Sequence, residues 1–275
     1  MKPVAFDYHR PETVPEAAAL LAELREDAAV LSGGMTLGPM LNLRMARPRA
    51  VIDVSRIAAL KSITVTDKAV ITGAAVVQAD AMRSDVIGKE VPLLALGLPW
   101  VGHFQTRNRG TLGGSVAHAD PSAEIPLCLV VCGGTVVLQS RKRERRVPAV
   151  EFFQGALTTQ RQYDELVVAL EWPRASKDAG HAFIEIAERH GDFALAAAAC
   201  ALRVDANGKL LSMADVRVSQ GEGYQTRDIG AADVHLPAAL SNYAAGYRLE
   251  DGIADIFAPV VLVDKSTDYY FTWDK

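Results

Sequence analysis

The sequence predicts an α+β protein in two parts, an N-terminal domain over residues 1–173 and a smaller α+β domain over 174–275. Three observations lead there. At about 150 residues per domain, a chain of 275 residues makes one large domain or two modest ones. Capped helical stretches and short apolar strands are mixed all the way to Trp172-Pro173. Beyond it the texture shifts to strands separated by polar turns, with the change falling at 173–180.

The first element starts at Thr13-Val14-Pro15-Glu16, which has the form of a capping box: a threonine hydroxyl for an amide three residues on, and a glutamate reaching back. Leu20, Leu21 and Leu24 then form an apolar stripe on a helix ending near Asp27. Ala29–Leu31 reads as a short buried strand, Leu37–Arg44 as a helix and Val51–Val54 as another strand. Alternation from Ile63 to Gly73 is strand-like, and Asp80–Ser84 is a short helix. Pro92–Val101 is a helix with proline in its first turn. Thr106–Pro126 reads as loop, Ile125–Val131 as helix and Thr135–Gln139 as strand. Gly133-Gly134 reads as a helix C-cap, and the basic run 141–146 as the cap of a solvated hairpin. In the second part Ala182–Ala187, Phe193–Val204 and Val216–Ser219 read as strands, with turns at 206–208 and 221–223.

Composition narrows the function. Hydrophobic residues make up 49% and charged residues 23%, and 29 basic against 33 acidic side chains leave a net charge of −4. That balance offers a nucleic acid no electrostatic footprint. The longest apolar run, Phe193–Leu202, has ten residues, too few to span a bilayer. The N-terminus lacks the pattern of a signal peptide, and three cysteines without a CxxC pair fit a reduced, cytoplasmic compartment. Zinc or iron–sulfur ligation by this chain is not expected.

Two segments spend glycine where a compact fold has no need of it. Ser32-Gly33-Gly34-Met35-Thr36 stands between a strand and a helix. Bare amides at such a turn suit an anion, and a plain tight turn is the other reading. Thr106–Pro126 is a long stretch of small and polar residues, and long loops inside compact domains are usually functional. Its Thr111 and Ser115 hydroxyls, its Gly113-Gly114 amides and its Asp120 and Glu124 carboxylates suit a pyrophosphate beside a sugar or ribityl chain. GxGxxG, GxxxxGK[ST] and GxSxG are all missing, so the phosphate cradle is neither a Rossmann fingerprint nor a P-loop.

SGGMTL at 32–37 and TRNRGTLGGSVAHADPSAEIP at 106–126 together resemble the FAD-binding medium subunit of the molybdenum hydroxylases, the family of xanthine dehydrogenase and carbon monoxide dehydrogenase. FDYHRP at 6–11, Pro48 with Val51-Ile52-Asp53, and Asp164-Glu165-Leu166 before Trp172-Pro173 match as well. The likeness covers essentially the whole chain and is looser over its last hundred residues.

The resemblance implies a two-lobed FAD-binding domain of the vanillyl-alcohol-oxidase (PCMH) type, with lobes over about 1–57 and 58–173, then an antiparallel sheet with helices. It implies non-covalent FAD held by Ser32, Gly33, Gly34, Met35, Thr36 and Leu37 on one side and by Thr106, Thr111, Leu112, Gly113 and Gly114 on the other, largely through backbone amides. Ser115, His118, Asp120 and Glu124 fall near the pyrophosphate and ribityl hydroxyls, Val101 beside the adenine and Phe193 against the flavin ring, with Leu170 a further cofactor-binding residue. No catalytic base and no metal ligand are implied in this chain. The function implied is an oxidoreductase subunit passing electrons from a partner's iron–sulfur clusters through FAD to an external acceptor. Its partners would be a large molybdopterin subunit and a small iron–sulfur subunit, in a dimer of heterotrimers.

Departures and alternatives stand beside this. Ser32 and Met35 replace an alanine and a polar residue usual in the family, and Ile184 stands where some members carry lysine near the flavin. The chain ends at Tyr269–Lys275, about where relatives continue into a closing helix. His118 reads equally as a loop hydrogen-bonder, Phe193 also as core, and Arg107 and Arg109 as partners of local carboxylates. A stand-alone flavin oxidase or dehydrogenase is the alternative within the enzymes. Methionine at 35 argues against a covalent histidine link in that loop. A flavin-free assembly protein is the alternative outside them, and the two Gly-Gly pairs count against it.

Overall fold

In the computed structural model of the chain, residues 2–204, 210–219 and 223–230 are described. The turns expected at 206–208 and about 221–222, and the C-terminal Tyr269–Lys275, lie outside them.

The first lobe is a small parallel sheet. β1 (Asp7–His9) leads through α1 (Val14–Leu24) to β2 (Ala28–Leu31), and α2 (Leu37–Asn42) leads on to β3 (Ala50–Asp53), with sheet order β1-β3-β2. The cap at Thr13 forms as expected: its hydroxyl accepts from the Glu16 amide at 3.3 Å, and Glu16 reaches back to the Glu12 amide at 2.8 Å. Directly after Leu24, the last residue of the apolar stripe, the helix tightens over Arg25–Asp27. β3 is buried along its length because it is the central strand. β2, expected to be buried, is an edge strand and only half-buried.

A second lobe follows. β4 (Ile63–Val65) and β5 (Ala69–Gly73) precede four short helices, α3 (Gln78–Met82), α4 (Asp85–Glu90), α5 (Pro92–Gly97) and α6 (Phe104–Arg107). Then come α7 (Leu112–His118), α8 (Glu124–Val131), β6 (Thr135–Gln139), β7 (Glu144–Pro148) and α9 (Ala149–Phe152). A small hairpin of β8 (Phe153–Gly155) and β9 (Thr158–Thr159) precedes β10 (Leu166–Pro173). The five-stranded antiparallel sheet runs β4-β5-β10-β6-β7. Trp172 is fully buried in it, its indole N–H donating to the Thr72 hydroxyl at 3.0 Å, as a buried tryptophan requires.

The expectation of a loop over 106–126 is corrected here: α7 occupies 112–118 and α8 starts at Glu124. Two glycines weaken α7 by about 1 kcal/mol each relative to alanine, so its own sequence does not announce a helix. Tertiary bonds hold it instead: the Leu112 amide donates to Val76 O and the Gly113 amide to Ala74 O, each at 3.0 Å.

The last described part is an antiparallel sheet of β11 (Ala179–Ile186), β12 (Ala196–Val204), β13 (Leu210–Ser219) and β14 (Gly223–Gly230) in that order. The sequence reading did not contain β14, and β12 begins at Ala196 rather than at Phe193. Ala197 and Ala199 of β12 are buried in the same core as α5 and α8. Their small side chains let the sheet lie close on these helices. The helices themselves come close enough that a Cβ on Gly97 would stand 2.8 Å from Cys128 Sγ. Among the described residues no helix is long and apolar enough to cross a membrane.

Candidate functional site

The two glycine segments, far apart in sequence, are packed against each other. Ser32 Oγ lies 3.0 Å from Thr111 Oγ1. A Cβ on Gly33 would collide with the Arg109 carbonyl oxygen and stand 2.8 Å from Gly110 Cα, so glycine is demanded there by the neighbouring backbone. Gly34 has φ +75°, a left-handed conformation in which a side chain is strained. The result is a sharp turn after β2 in which the amides of Gly33, Gly34, Met35 and Thr36 make no hydrogen bond among the described residues. Ser32 is half-buried, Met35 is 38% exposed, Thr36 is exposed and Leu37 opens α2. A cluster of unpaired donors at an open turn is a cradle for an anion.

The second segment works differently from the expectation that its amides would also face a ligand. Leu112 and Gly113 donate to Val76 O and Ala74 O, and Ser115 to Thr111 O at 3.1 Å. Gly114 N–H donates to Thr111 Oγ1 at 3.1 Å, capping α7. These four amides are committed within the protein, and Leu112, Gly113 and Thr111 are buried. Gly113 is required because a Cβ would clash with Ala74. At Gly114 a Cβ would meet only Thr111 Oγ1 at 2.7 Å, with open space otherwise. The segment therefore presents a small, open helix face of Gly114, Ser115, Ala117 and His118, all partly exposed.

Other expected residues lie around this pair of loops. Thr106 is half-buried on α6, its carbonyl accepting from the Gly110 amide at 2.7 Å. Asp120 Oδ1 accepts from the Ser122 amide at 2.8 Å, shaping the turn into α8. Val101 is buried. Arg107, expected to meet carboxylates, donates through Nη1 to carbonyl oxygens of Val101 at 2.9 Å and Gly102 at 2.6 Å. Leu170 has no exposed surface, pairing with Thr72 and Val136 in the middle of the sheet. Its side chain is corrected to core. Phe193, for which core was one reading, is 69% exposed in the connection between β11 and β12. That connection lies on residues 100–103: His190 stacks on Trp100 at 5.4 Å between centroids, and Gly191 abuts His103. Ile184 is exposed on β11.

Electrostatically, Glu124 stands out. It is 8% exposed at the first turn of α8, and burial, with Glu185 and Asp120 nearby, pushes its carboxyl up to about 8. Burial wins over the helix N-terminus, which favours the carboxylate. Glu185 was missed in the sequence. It is 6% exposed, its Oε2 has no partner among the described residues, and burial pushes it up to about 7. The signal was present in the strand alternation of AFIEIA, which puts Glu185 on the same face as the inward Phe183. Among the described residues no group of three or more His, Cys, Asp or Glu could hold a metal ion.

Residues 4–175 match the model of a family described as the FAD binding domain in molybdopterin dehydrogenase. The chain is 35% identical over 272 residues to the 6-hydroxypseudooxynicotine dehydrogenase complex subunit alpha of Paenarthrobacter nicotinovorans, covering 98% of this chain and 90% of the relative. It is 41% identical over 200 residues to the caffeine dehydrogenase subunit beta of Pseudomonas sp. (strain CBB1), covering 72% and 68% respectively. A solved carbon monoxide dehydrogenase from Hydrogenophaga pseudoflava superposes with TM-score 0.80 at 29% identity, over 94% of this chain and 99% of that one. With its mixed α+β domain, its second antiparallel sheet and its paired glycine segments, the chain belongs to the FAD-binding medium subunits of the molybdenum hydroxylases, the carbon monoxide dehydrogenase and xanthine dehydrogenase family.

Proposed function

We propose that this chain holds FAD non-covalently between the turn after β2 and the open face of α7, and serves as the electron-transfer subunit of a molybdenum hydroxylase. The observation that carries this is the set of unpaired amides at Gly33–Thr36, placed beside the uncovered backbone of Gly114. Four N–H donors suit the pyrophosphate of a dinucleotide. Ser115, His118 and Glu124 are the polar side chains for the ribityl and ribose hydroxyls. Met35 leaves the turn without the imidazole of a covalent histidine link to flavin. On this reading Phe193, 69% exposed, screens the isoalloxazine ring and Val101 lies on the adenine side.

Bound FAD supplies redox cycling, which relays electrons from the iron–sulfur clusters of a partner subunit to an external acceptor. The work of this chain's own residues is to bind, orient and shield; no acid–base catalyst is assigned. On this reading residues 1–173 are the flavin domain, with lobes over about 1–57 and 58–173, and 174–275 belong to the second domain. The partners are a large molybdopterin subunit, where substrate is oxidised, and a small iron–sulfur subunit, in a dimer of heterotrimers. The relatives' names, a dehydrogenase complex subunit and a medium chain, support such an assembly. Three free cysteines support a cytoplasmic setting.

The test is the absorption spectrum of the purified chain before and after acid precipitation. Flavin released into the supernatant is the expected result. Colour retained in the pellet means a covalent flavin oxidase. A colourless chain that cannot be reconstituted with FAD overturns the proposal.

A further inference from the structure

Residues 99–103 form the seat on which the β11–β12 connection lies, and little within the segment holds its shape. Pro99 has no amide proton to give, the Val101 amide reaches Leu98 O at 3.3 Å, and Gly102 has φ +48°. The carbonyls of the segment converge instead on one residue. Arg107 donates from Nη1 to Pro99 O at 3.3 Å, to Val101 O at 2.9 Å and to Gly102 O at 2.6 Å. Its backbone amide donates to His103 O at 3.0 Å. Four main-chain carbonyls thus depend on a single half-buried arginine. Hydrogen bonds from a charged donor are stronger than neutral ones, and removing this donor leaves the carbonyls short of partners.

Arg107 is also tied to the glycine segments. It closes α6, and the adjacent Thr106 carbonyl accepts from the Gly110 amide at 2.7 Å. Gly33 in turn lies against the Arg109 carbonyl and Gly110 Cα. On its other side the gripped segment carries the connection. His190 stacks on Trp100. Gly191 rests on the segment's backbone, where a Cβ would stand 2.6 Å from His103 Nδ1 and 2.8 Å from Gly102 O. The Gly102 carbonyl is therefore held by Arg107 and covered by Gly191. Two residues further on is Phe193, and the connection is closed by the Leu195 amide donating to Ile186 O at 2.8 Å. Between these two fixed points the place of Phe193 follows the seat.

We propose that Arg107 is a positioning residue of the flavin site. Its guanidinium fixes the backbone of 99–102, and that seat sets the β11–β12 connection so that Phe193 screens the flavin ring. Arg107 acts through main-chain carbonyls and not by touching the cofactor. This rests on the reading that FAD occupies the site with its ring under Phe193.

The experiment is iodide quenching of flavin fluorescence in the FAD-loaded full chain, with FAD titration and circular dichroism on each variant. Phe193→Ala opens the ring to iodide and weakens FAD binding about fivefold, the loss of one aromatic contact. Arg107→Met opens the ring to the same degree with Phe193 still present, and the double variant is no more open than either single one. Arg107→Lys restores the screening, because an ammonium carries three donors on one nitrogen for the three carbonyls. Gly191→Ala lifts the connection off its seat with Arg107 intact and opens the ring likewise, which keeps the test decisive where Arg107→Met does not fold. Wild-type quenching in folded, loaded Arg107→Met or Gly191→Ala overturns this assignment while leaving FAD in the site. So does additive opening in the double variant, or a ring as open in wild type as in Phe193→Ala. Failure of the folded wild-type chain to bind FAD overturns the functional reading itself, and this inference with it.

Discussion

Ser32 Oγ and Thr111 Oγ1 lie 3.0 Å apart, a hydrogen bond across 79 residues of sequence that ties the turn after β2 to the cap of α7. The same threonine oxygen accepts from the Gly114 amide. One hydroxyl thus sets both the start of the helix and the relative position of the two glycine segments. Serine in place of the family's more usual alanine at 32 adds a side-chain link between the two segments.

Thr111→Val keeps the side chain's shape and removes both bonds. Loss of a helix cap costs about 1–2 kcal/mol, and the two segments lose their tie. The variant is expected to melt several degrees lower and to bind FAD roughly tenfold more weakly, about 1.4 kcal/mol. Ser32→Ala removes the tie alone and is expected to change affinity with little loss of stability. Thr111→Ser restores both properties. Flavin titration and thermal melts on the same preparations check this.

The glycines divide by cause, and substitution separates them. Gly33 and Gly113 are small because Arg109 and Ala74 leave no room for a Cβ. Gly33→Ala and Gly113→Ala are therefore expected to destabilise the fold by several kcal/mol, with loss of soluble protein. Gly114 faces open space apart from the Thr111 hydroxyl. Gly114→Val is expected to leave a folded chain that lacks FAD, because the branched side chain fills the open face. Near-full flavin content in purified Gly114→Val sinks that assignment.

Three strands of the five-stranded sheet (β4, β5 and β6), the capped first helix and both glycine segments could be read from the sequence because each announces itself within a few residues; β7 and the central β10 were not read as strands. Thr13 and Glu16 form a local cap, and Val136, Val137 and Leu138 form a short apolar strand. What escaped depends on distant partners. α7 is a helix because Ala74 and Val76, some forty residues earlier, accept its first amides. Gly33 and Gly113 look like ligand glycines until the neighbouring backbone is seen. Leu170, counted among the cofactor-binding residues on the resemblance, is buried by strands on either side. Glu185 is an acid in an alternating strand, and only the packing of β11 onto α5 shows that it faces inward.

The basic run at 141–146 hides one exception to its role as a solvated hairpin. The turn itself forms, with Ser140 and Arg143 bonded at 2.9 Å, but Arg145 turns back onto Glu165, which is 2% exposed. Arg145 donates from Nε at 2.7 Å and from Nη2 at 2.8 Å, one bond to each carboxylate oxygen. Burial alone would push the Glu165 carboxyl up. The Arg145 bonds and the Gln162 amide outweigh it and hold it below the usual range. Arg145→Met strands a buried carboxylate, a change worth about 3–5 kcal/mol. A fall in melting temperature on the order of 10 °C is expected, against almost none for the exposed Arg141→Met. Because the Glu165 carboxyl is depressed, the contribution is present above the unfolded value of 4.5 and is lost as pH falls through the folded one. The deficit of Arg145→Met is expected to shrink in acid.

Glu124 and Glu185 impose the opposite dependence. Burial raises both, to about 8 and about 7, from an ordinary value of 4.5. Between those limits the folded chain binds more protons than the unfolded one, so their effect on stability is most favourable in acid and is lost as pH rises through about 7 to 8. The flavin-free chain is therefore expected to melt higher at pH 6 than at pH 8.5, although its −4 net charge gives no such trend by itself. Glu185→Gln removes one ionisation and the like-charge effect on its neighbour, so its loss between the two pH values should be about half that of wild type. Thermal melts at the two pH values decide it. Equal losses in wild type and Glu185→Gln would mean that the buried pair does not govern this range.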